Sequence, residues 1–315
     1  MAKVIPAVSG IESALSILAD GGLVAVPTET VYGLAADACN EEAVRSIYAA
    51  KGRPSFNPLI AHVSGLPMAQ EIGSFDDIAM KLARAFWPGA LTLVVPLQQN
   101  KKIAPSVTAG LGTIALRHPK GIMAELAERL GNPIAAPSAN SSGKLTPTRA
   151  EHVQMDIGDR IDLILDDGPF LVGLESTIVK VVNGVPVLLR EGGIPAEDIE
   201  ALLGADVQRS SNTREIEAPG QLLAHYAPEA MLRLNAIDFT KDEAVLAFGK
   251  QTTALPKLSR NLSEQGSLSE AASNLFSMLK ELDLEGATRI AVQPIPTHGL
   301  GAAINDRLKR AAHRE

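Results

Sequence analysis

Short apolar runs alternate with amphipathic segments along most of the chain. Apolar residues recur at helical spacing over residues 11–18, and Ser9 with Glu12 matches the capping box that begins many helices. A second helix is predicted to begin at Asn40, a residue type favoured as an N-cap, and to end at Gly52. A short apolar strand is expected between these two helices.

The same alternation continues and predicts an α/β sheet with helices packed on it. Residues 176–182 and 185–189 flank Asn183-Gly184, a dipeptide favoured in type I′ turns, so these two runs are predicted to form a hairpin. A hairpin needs antiparallel strands, and the sheet is therefore expected to be mixed. Thr148 with Glu151 matches a further capping box. In the same region, strands are predicted at 23–27, 59–63, 91–96, 113–116 and 134–136, and helices at 76–86 and 122–130.

The periodic pattern weakens into a polar segment near residue 208, which we interpret as a linker between two domains. The length of 315 residues also favours two compact units, since a comfortable single domain has about 150. The predicted units are a first domain over residues 1–207, a linker over 208–229, and a smaller α/β domain over 230–315. In the second domain, strands are predicted at 232–234, 245–248 and 289–292, and helices at 268–282, with a capping box at Ser267 and Glu270, and at 302–312.

Composition narrows the classes of function. Hydrophobic residues make up 46% of the chain and charged residues 21%, which is typical of a globular protein with a real core. The formal net charge of −7 argues against a broad surface that neutralises nucleic-acid phosphates. A single cysteine, Cys39, excludes an intramolecular disulfide and suits a reducing compartment, and no apolar run reaches the ~18 residues of a membrane span. We therefore expect a cytoplasmic protein without a membrane anchor.

Polar residues end several of the apolar strands. Ligands of α/β sheets bind where strand ends and loops meet, which predicts a pocket in the first domain. Four cations lie near these ends, and guanidinium groups hold carboxylates or phosphates in a fixed geometry, which indicates a site for a compact anion. Each cation taken alone is also compatible with a solvated surface charge. The four residues are Lys51, Arg53, Arg117 and Arg190.

Several common ligand-binding motifs are missing from the sequence. There is no P-loop, no Gly-x-Gly-x-x-Gly turn and no Gly-x-Ser-x-Gly motif, which argues against the enzymes that those motifs define. The six histidines show no metal-ligand spacing, so no metal ion held by the protein is expected. By its position after an apolar strand, His62 is more typical of a buried core residue than of a ligand.

Seven segments carry a more specific combination of residues, in this order along the chain: Pro-Thr-Glu-Thr-Val-Tyr-Gly-Leu at 27–34, Lys-Gly-Arg-Pro at 51–54 with Asn-Pro-Leu at 57–59, Phe-Trp-Pro-Gly at 86–89 with Leu91 and Thr92, Leu-Arg-His-Pro at 116–119, Pro-Ser-Ala-Asn at 137–140, Ser-Thr-Ile at 176–178, and Leu-Arg-Glu-Gly at 189–192. Together they closely resemble the threonylcarbamoyl-AMP synthase family in its long, two-domain form. His-Tyr-Ala-Pro at 225–228 and Gly-Ala-Ala-Ile-Asn-Asp-Arg-Leu at 301–308 extend the resemblance beyond the first domain. Gln-Leu-Leu-Ala at 221–224 departs from the basic residues that many long-form members carry there.

This resemblance implies a YrdC-like twisted mixed sheet with helices around a concave cavity, and a smaller Rossmann-like α/β domain at the C-terminal end. It implies that Lys51 and Arg53 are the catalytic cations. The residues that it implies for L-threonine are Thr30, His62, Arg117, Ser138 and Ser176. The residues that it implies for ATP are Arg53, Asn57, Thr113, Asn140, Thr148, Arg190 and Tyr226.

The resemblance also implies an L-threonylcarbamoyladenylate synthase, a nucleotidyltransferase that condenses L-threonine, bicarbonate and ATP to threonylcarbamoyl-AMP and pyrophosphate. Mg²⁺ would arrive with ATP, and the product would pass to a tRNA threonylcarbamoyl transferase complex. Two alternatives stay open. A carbamoyl-adenylating enzyme of the same fold would need carbamoyl phosphate instead. A non-catalytic RNA-binding module is the other, although the acidic charge and the 3% aromatic content count against it.

Overall fold

The computed structural model describes residues 1–98, 103–168, 172–210, 217–220, 225–252 and 254–313, which contain an eleven-stranded sheet and a four-stranded sheet. The strands of the large sheet are β1 Lys3–Pro6, β2 Val24–Val26, β3 Gly33–Asp37, β4 Ile60–His62, β5 Leu91–Pro96, β6 Thr113–Arg117, β7 Ile134–Ala135, β8 Leu163–Asp166, β9 Thr177–Val182, β10 Val185–Arg190 and β11 Gln208–Arg209. Those of the small sheet are β12 Met231–Arg233, β13 Ala244–Ala247, β14 Ser259–Asn261 and β15 Arg289–Val292. The helices are α1 Ala7–Ala19, α2 Glu41–Lys51, α3 Leu66–Ile72, α4 Asp77–Phe86, α5 Pro105–Thr108, α6 Ile122–Leu130, α7 Ala150–Ile157, α8 Ala196–Leu203, α9 Leu268–Leu284 and α10 Leu300–Ala312.

The large sheet is mixed, as predicted. Its strand order is β1-β8-β2-β3-β7-β4-β6-β5-β9-β10-β11. β4 runs parallel to β6, with His62 opposite Arg117, whereas β5 pairs antiparallel with β6 and parallel with β9. The parallel pairing brings the carboxyl ends of β4 and β6 to one edge of the sheet. His62 and Arg117 therefore lie side by side at that edge.

The predicted hairpin is confirmed. β9 and β10 are antiparallel, and Val182 lies opposite Val185. Asn183 and Gly184 have φ values of 54° and 74°, and positive φ at both central positions is what a type I′ turn requires. β11 then pairs in parallel with β10, so the first residues of the predicted linker extend the large sheet. The rest of that linker includes 211–216 and the unusual segment 221–224, which lie outside the described residues.

Helix-capping signals were right at two helices and wrong at two others. Asn40 caps α2 by accepting hydrogen bonds from the backbone N–H groups of the first turn, and Ser267 caps α9 in the same way. At α1 the helix begins directly after β1, so Ser9 lies inside the first turn and its hydroxyl donates to the Pro6 carbonyl instead. At α7 the cap position is Arg149, one residue beyond Thr148, and no side chain caps this helix.

The small sheet is parallel throughout, in the order β12-β15-β13-β14, and it packs against α9 and α10. Its core includes Leu246 and Phe276, which are almost completely buried. The same apolar cluster contains Leu145, Leu174 and Tyr226 from the preceding part of the chain. Loops that precede the small sheet in the chain therefore pack into its apolar core. Among the described residues, no helix has the length and apolar character needed to cross a membrane.

Candidate functional site

A cavity opens beside the carboxyl end of β4, and we call it the central cavity. Its walls come from the loop after β2, the segment after β7, the two residues before β9, the last residue of β10, and residues 219–220 and 225–226. The sequence-predicted residues that line it are Thr30, Arg53, His62, Arg117, Ser138, Ser176, Arg190 and Tyr226. Loops that lie far apart in sequence thus converge on one cavity, as the strand-end pattern predicted.

Arg117 forms one wall and is held on three sides. Its Nε donates to the Gly89 carbonyl at 3.1 Å, and its Nη1 donates to Thr30 Oγ1 at 3.0 Å. Its Nη2 lies 2.9 Å from Glu29 Oε2 in a buried ion pair, yet neither this nitrogen nor the Glu29 carboxylate is aligned for a hydrogen bond. An incoming carboxylate could therefore accept a hydrogen bond from Nη2 without displacing an existing one.

The hydroxyl of Thr30 has a fixed orientation. Thr28 Oγ1 donates to the Val31 carbonyl at 2.7 Å, so the 2.8 Å contact between the two threonine hydroxyls is donated by Thr30. Thr30 Oγ1 accepts from Arg117 at the same time. Because its one proton is donated to Thr28, this hydroxyl can only present its remaining lone pair to a ligand. A small polar molecule in the central cavity would meet an oriented acceptor there.

Arg190 and Ser176 form another wall. The Arg190 guanidinium donates to the Ser176 carbonyl from Nε at 3.1 Å and from Nη2 at 2.8 Å, and Nη1 donates to the Pro219 carbonyl at 3.2 Å. The Ser176 hydroxyl lies 2.7 Å from Thr92 Oγ1. This fork fixes the loop before β9 against the end of β10. Burial lowers the pKa of Arg190 from its ordinary value, but guanidinium keeps its charge at neutral pH.

Lys51 is the last residue of α2 and Arg53 follows the C-cap Gly52, and their side chains point to different places. Arg53 lines the central cavity and donates to the carbonyls of Asn57 at 3.3 Å and Pro58 at 2.9 Å. Lys51 lies behind the wall, where its ammonium donates to the carbonyls of Ser138, at 2.5 Å, and Asn140. Burial lowers the pKa of Arg53 to about 10. Burial, and then the charge of Arg53, hold the pKa of Lys51 well below its ordinary value.

Three side chains predicted to bind ATP carry buried polar atoms without a hydrogen-bond partner among the described residues. These atoms are Asn57 Oδ1, Asn140 Oδ1 and Thr148 Oγ1. Buried polar atoms are normally paired, and an unpaired one costs about 1–3 kcal/mol. A ligand that supplied donors would remove that cost. None of these three residues lines the central cavity, and neither does Thr113, also predicted for ATP, which is half-buried at the opposite end of β6 from Arg117.

Two histidines line the central cavity in their neutral form. Burial is the largest cause that lowers the pKa of His62 to about 3, and the nearby charge of Arg117 acts in the same direction. Burial likewise lowers the pKa of His225 to about 3. Both rings have an Nδ1 atom without a partner among the described residues. Neutral imidazoles add hydrogen-bonding capacity beside the three arginines without adding positive charge.

Sequence reasoning did not assign roles to Glu175, Gly220 and His225, which also line the central cavity. Gly220 has a φ of 85°, and a Cβ there would lie 2.9 Å from Arg190 Cδ and 3.2 Å from Tyr226 Oη. Only glycine lets the chain pass so close to both side chains. His225 could have been found from the segment 225–228, which carries part of the family resemblance. No sequence pattern pointed to Glu175, since its main partner, Arg307, lies 132 positions away.

The mixed sheet and the cation-lined cavity define a protein of the YrdC-like class. A crystal structure of Escherichia coli YciO shows this fold with a TM-score of 0.54 at 22% identity, over 61% of this chain and 96% of that chain. Residues 16–192 match a family model described as "Telomere recombination", and residues 194–313 match one described as "Threonylcarbamoyl-AMP synthase, C-terminal domain".

Relatives of similar length carry one name. The chain is 39% identical to a threonylcarbamoyl-AMP synthase of Bacillus subtilis, over 96% of this chain and 92% of the relative. It is 38% identical to that of Pyrococcus abyssi, over 96% and 94%. A crystal structure of P. abyssi Sua5 complexed with L-threonine superposes with a TM-score of 0.90 at 35% identity, covering 98% of this chain and 97% of that chain. The chain therefore belongs to the threonylcarbamoyl-AMP synthase family, in its two-domain form.

Proposed function

We propose that this protein is an L-threonylcarbamoyladenylate synthase, which condenses L-threonine, bicarbonate and ATP to threonylcarbamoyl-AMP and pyrophosphate. The observation that carries the proposal is the convergence of Arg53, Arg117 and Arg190 on one cavity that also holds oriented hydroxyls and neutral imidazoles. The similarity to a relative solved with L-threonine supports threonine as one substrate. The charge and the hydrogen-bonding groups suit the other two, which are anions.

Threonine and ATP are proposed to contact different cations. Threonine has a carboxylate that suits Arg117 and a hydroxyl that suits Thr30 or Ser176, all on the central cavity. ATP has phosphates that suit Arg53 and Arg190, together with polar groups that can donate to the unpaired oxygens of Asn57, Asn140 and Thr148. ATP is expected to enter as its magnesium complex, in which the metal neutralises part of the phosphate charge.

The chemistry needs positioning more than a protein nucleophile. The threonine amine attacks bicarbonate, loses water and becomes an N-carboxylate. One oxygen of that carboxylate then attacks the α-phosphorus of ATP, and the bond to the leaving pyrophosphate breaks. Two anions must approach each other, so buried guanidinium groups that neutralise them lower the barrier more effectively than the same groups would in water. Lys51 contributes by holding the loop of Ser138 and Asn140 in place.

Mass spectrometry of the product tests this proposal directly. Purified protein is incubated with threonine, ATP, Mg²⁺ and isotopically labelled bicarbonate, and the expected product is threonylcarbamoyl-AMP that carries the label. Omission of threonine or bicarbonate should stop pyrophosphate release. A product formed only when carbamoyl phosphate replaces bicarbonate would instead indicate the carbamoyl-adenylating alternative. RNA binding without any adenylate product would indicate the non-catalytic one.

A single variant tests the role of the cavity cations. Arg53→Ala should abolish threonine- and bicarbonate-dependent pyrophosphate release and leave the circular dichroism spectrum unchanged. Near-normal turnover in the folded variant would contradict the assigned role.

We further propose that the product passes in the cytoplasm to a tRNA threonylcarbamoyl transferase. Transfer of labelled threonylcarbamoyl to tRNA in a coupled assay, dependent on this protein, would test that step.

A further inference from the structure

A buried ion pair joins the second unit of the protein to the central cavity. Arg307, on α10, donates from Nε to Glu175 Oε2 at 3.0 Å, and the two side chains are 1% and 8% exposed. The other Glu175 oxygen accepts a hydrogen bond from Thr146 at 2.7 Å. Glu175 itself lines the central cavity, so the pair lies at the wall where the substrates are proposed to bind.

Arg307 makes further contacts that surround the same wall. Its Nη2 donates to the Glu191 carbonyl at 2.8 Å, its Nη1 pairs with Asp306 at 2.7 Å, and its guanidinium carbon lies 5.2 Å from the centre of the Tyr226 ring. Glu175 directly precedes Ser176, and Glu191 directly follows Arg190. Arg307 therefore contacts the residues next to both Ser176 and Arg190.

Two arginines act on the charge of Glu175. Burial alone would raise the pKa of Glu175, but the charges of Arg307 and then Arg190 outweigh it and lower this pKa to about 2. Glu175 is thus a buried carboxylate with two arginines within its electrostatic reach. While Arg307 satisfies it, Arg190 is free to donate to the Ser176 and Pro219 carbonyls.

We propose that Arg307 is a positioning residue for the substrates: by holding Glu175 and the Glu191 carbonyl, it keeps Arg190 on Ser176 and available to the phosphates of ATP. This inference rests on the proposed function for the identity of the ligands. It assigns a task in the reaction to the segment 301–308, which the sequence analysis recognised without giving it a role. The second unit then acts on the central cavity through a defined side chain.

The proposal predicts an unusual pattern of variants. Arg307→Met leaves the buried Glu175 carboxylate without its main partner, and Arg190 is the next cation whose charge acts on it. Arg190 would then leave Ser176, and the affinity for both threonine and ATP should fall by about tenfold or more, since small displacements of positioning groups have large effects. Glu175→Gln added to Arg307→Met removes the carboxylate that attracts Arg190. The double variant should therefore bind both ligands better than Arg307→Met alone.

Binding by titration calorimetry measures this cycle without turnover, with threonine and a non-hydrolysable ATP analogue as the probes. The proteins are the full-length wild type, Arg307→Met, Arg307→Lys, Glu175→Gln and the double variant. Lys309→Met is the matched control, because Lys309 is exposed on the same helix and its substitution removes the same charge. Arg307→Lys keeps the charge if Arg307→Met does not fold, and melting temperatures are recorded for each protein.

Recovery of affinity in the double variant, with Lys309→Met equal to the wild type, would support the proposal. Arg307→Lys is expected to bind with intermediate affinity, because an ammonium can pair with Glu175 but cannot also reach the Glu191 carbonyl in the geometry of a fork. A lower melting temperature with unchanged affinities, or losses that simply add in the double variant, would overturn it. The product assay on the wild type decides the proposed function separately, because these binding measurements do not depend on it.

Discussion

Acid should destabilise this protein through the two neutral histidines of the central cavity. His62 and His225 are buried, and burial is the main cause that lowers the pKa of each from 6.5 to about 3. The unfolded chain takes up a proton at each histidine near pH 6.5, whereas the folded protein takes up none until about pH 3. Between these values the unfolded state binds more protons, so stability falls as the pH falls below 6.5.

The size of this effect follows from the two pKa values. Each pH unit below the unfolded pKa costs about 1.4 kcal/mol per histidine until the folded pKa is reached. At pH 5, which is 1.5 pH units below 6.5, each histidine costs about 2 kcal/mol. An unfolding entropy of about 2 cal/mol/K per residue converts this to a loss of about 3 °C in Tm per histidine for a chain of this length.

Differential scanning calorimetry between pH 7.5 and 5 provides the measurement. His62→Gln and His225→Gln remove one titrating group each, so each variant should lose less Tm over this range than the wild type, by about 3 °C. His298 is exposed, and His298→Gln is the matched control for the effect of a histidine-to-glutamine substitution outside the cavity. If both cavity variants retained the full wild-type slope, the histidines would not be the groups whose protonation is suppressed by folding.

Three further substitutions test individual parts of the site. Lys51→Ala removes the donor to two loop carbonyls and should lower pyrophosphate release by about 100-fold. Arg45→Ala removes a charge at an exposed position of the same helix and should not lower it; a Lys51→Ala protein as active as the wild type would contradict the role of Lys51. Arg117→Lys keeps the charge but loses the fork, so the KM for threonine should rise about tenfold with the KM for ATP unchanged. A uniform change in both KM values would count against separate cations for the two substrates. Gly192→Ala would bring a Cβ within 2.4 Å of the backbone of Ser176 and Thr177 and should cost about 3 kcal/mol by denaturant unfolding, while Gly112→Ala, with open space around it, should cost far less.

The sequence predicted well those features that depend on local chemistry. Asn40 and Gly52 mark the ends of α2 because an N-cap side chain and a left-handed C-cap each satisfy backbone groups within a few residues. The Asn183-Gly184 turn is equally local. Polar residues at strand ends identified the cavity because the buried strand bodies leave only their ends free for ligands. Eight of the residues that the family resemblance implied for the site also line the central cavity.

The failures have physical causes as well. The Ser-x-x-Glu pattern at Ser9 satisfies the capping-box rule but occurs inside α1, because the helix starts where β1 ends and not where the motif lies. β3 was not predicted, since its Gly-Leu-Ala-Ala-Asp sequence has no β-branched or aromatic residue, and its burial between β2 and β7 makes it a strand. The Glu175–Arg307 pair joins residues 132 positions apart, which no local pattern can show.

The buried cations of the site differ in how the protein balances their charge. Arg117 and Arg307 each face a buried carboxylate. Arg53 and Arg190, in contrast, donate to carbonyl oxygens, and no carboxylate of the described residues lies within ion-pair distance of them. A carbonyl dipole orients a guanidinium without neutralising it, so these two cations keep their charge for an anionic ligand. Because their burial without counter-ions disfavours the ligand-free fold, a bound triphosphate would recover that cost and stabilise the protein as it binds.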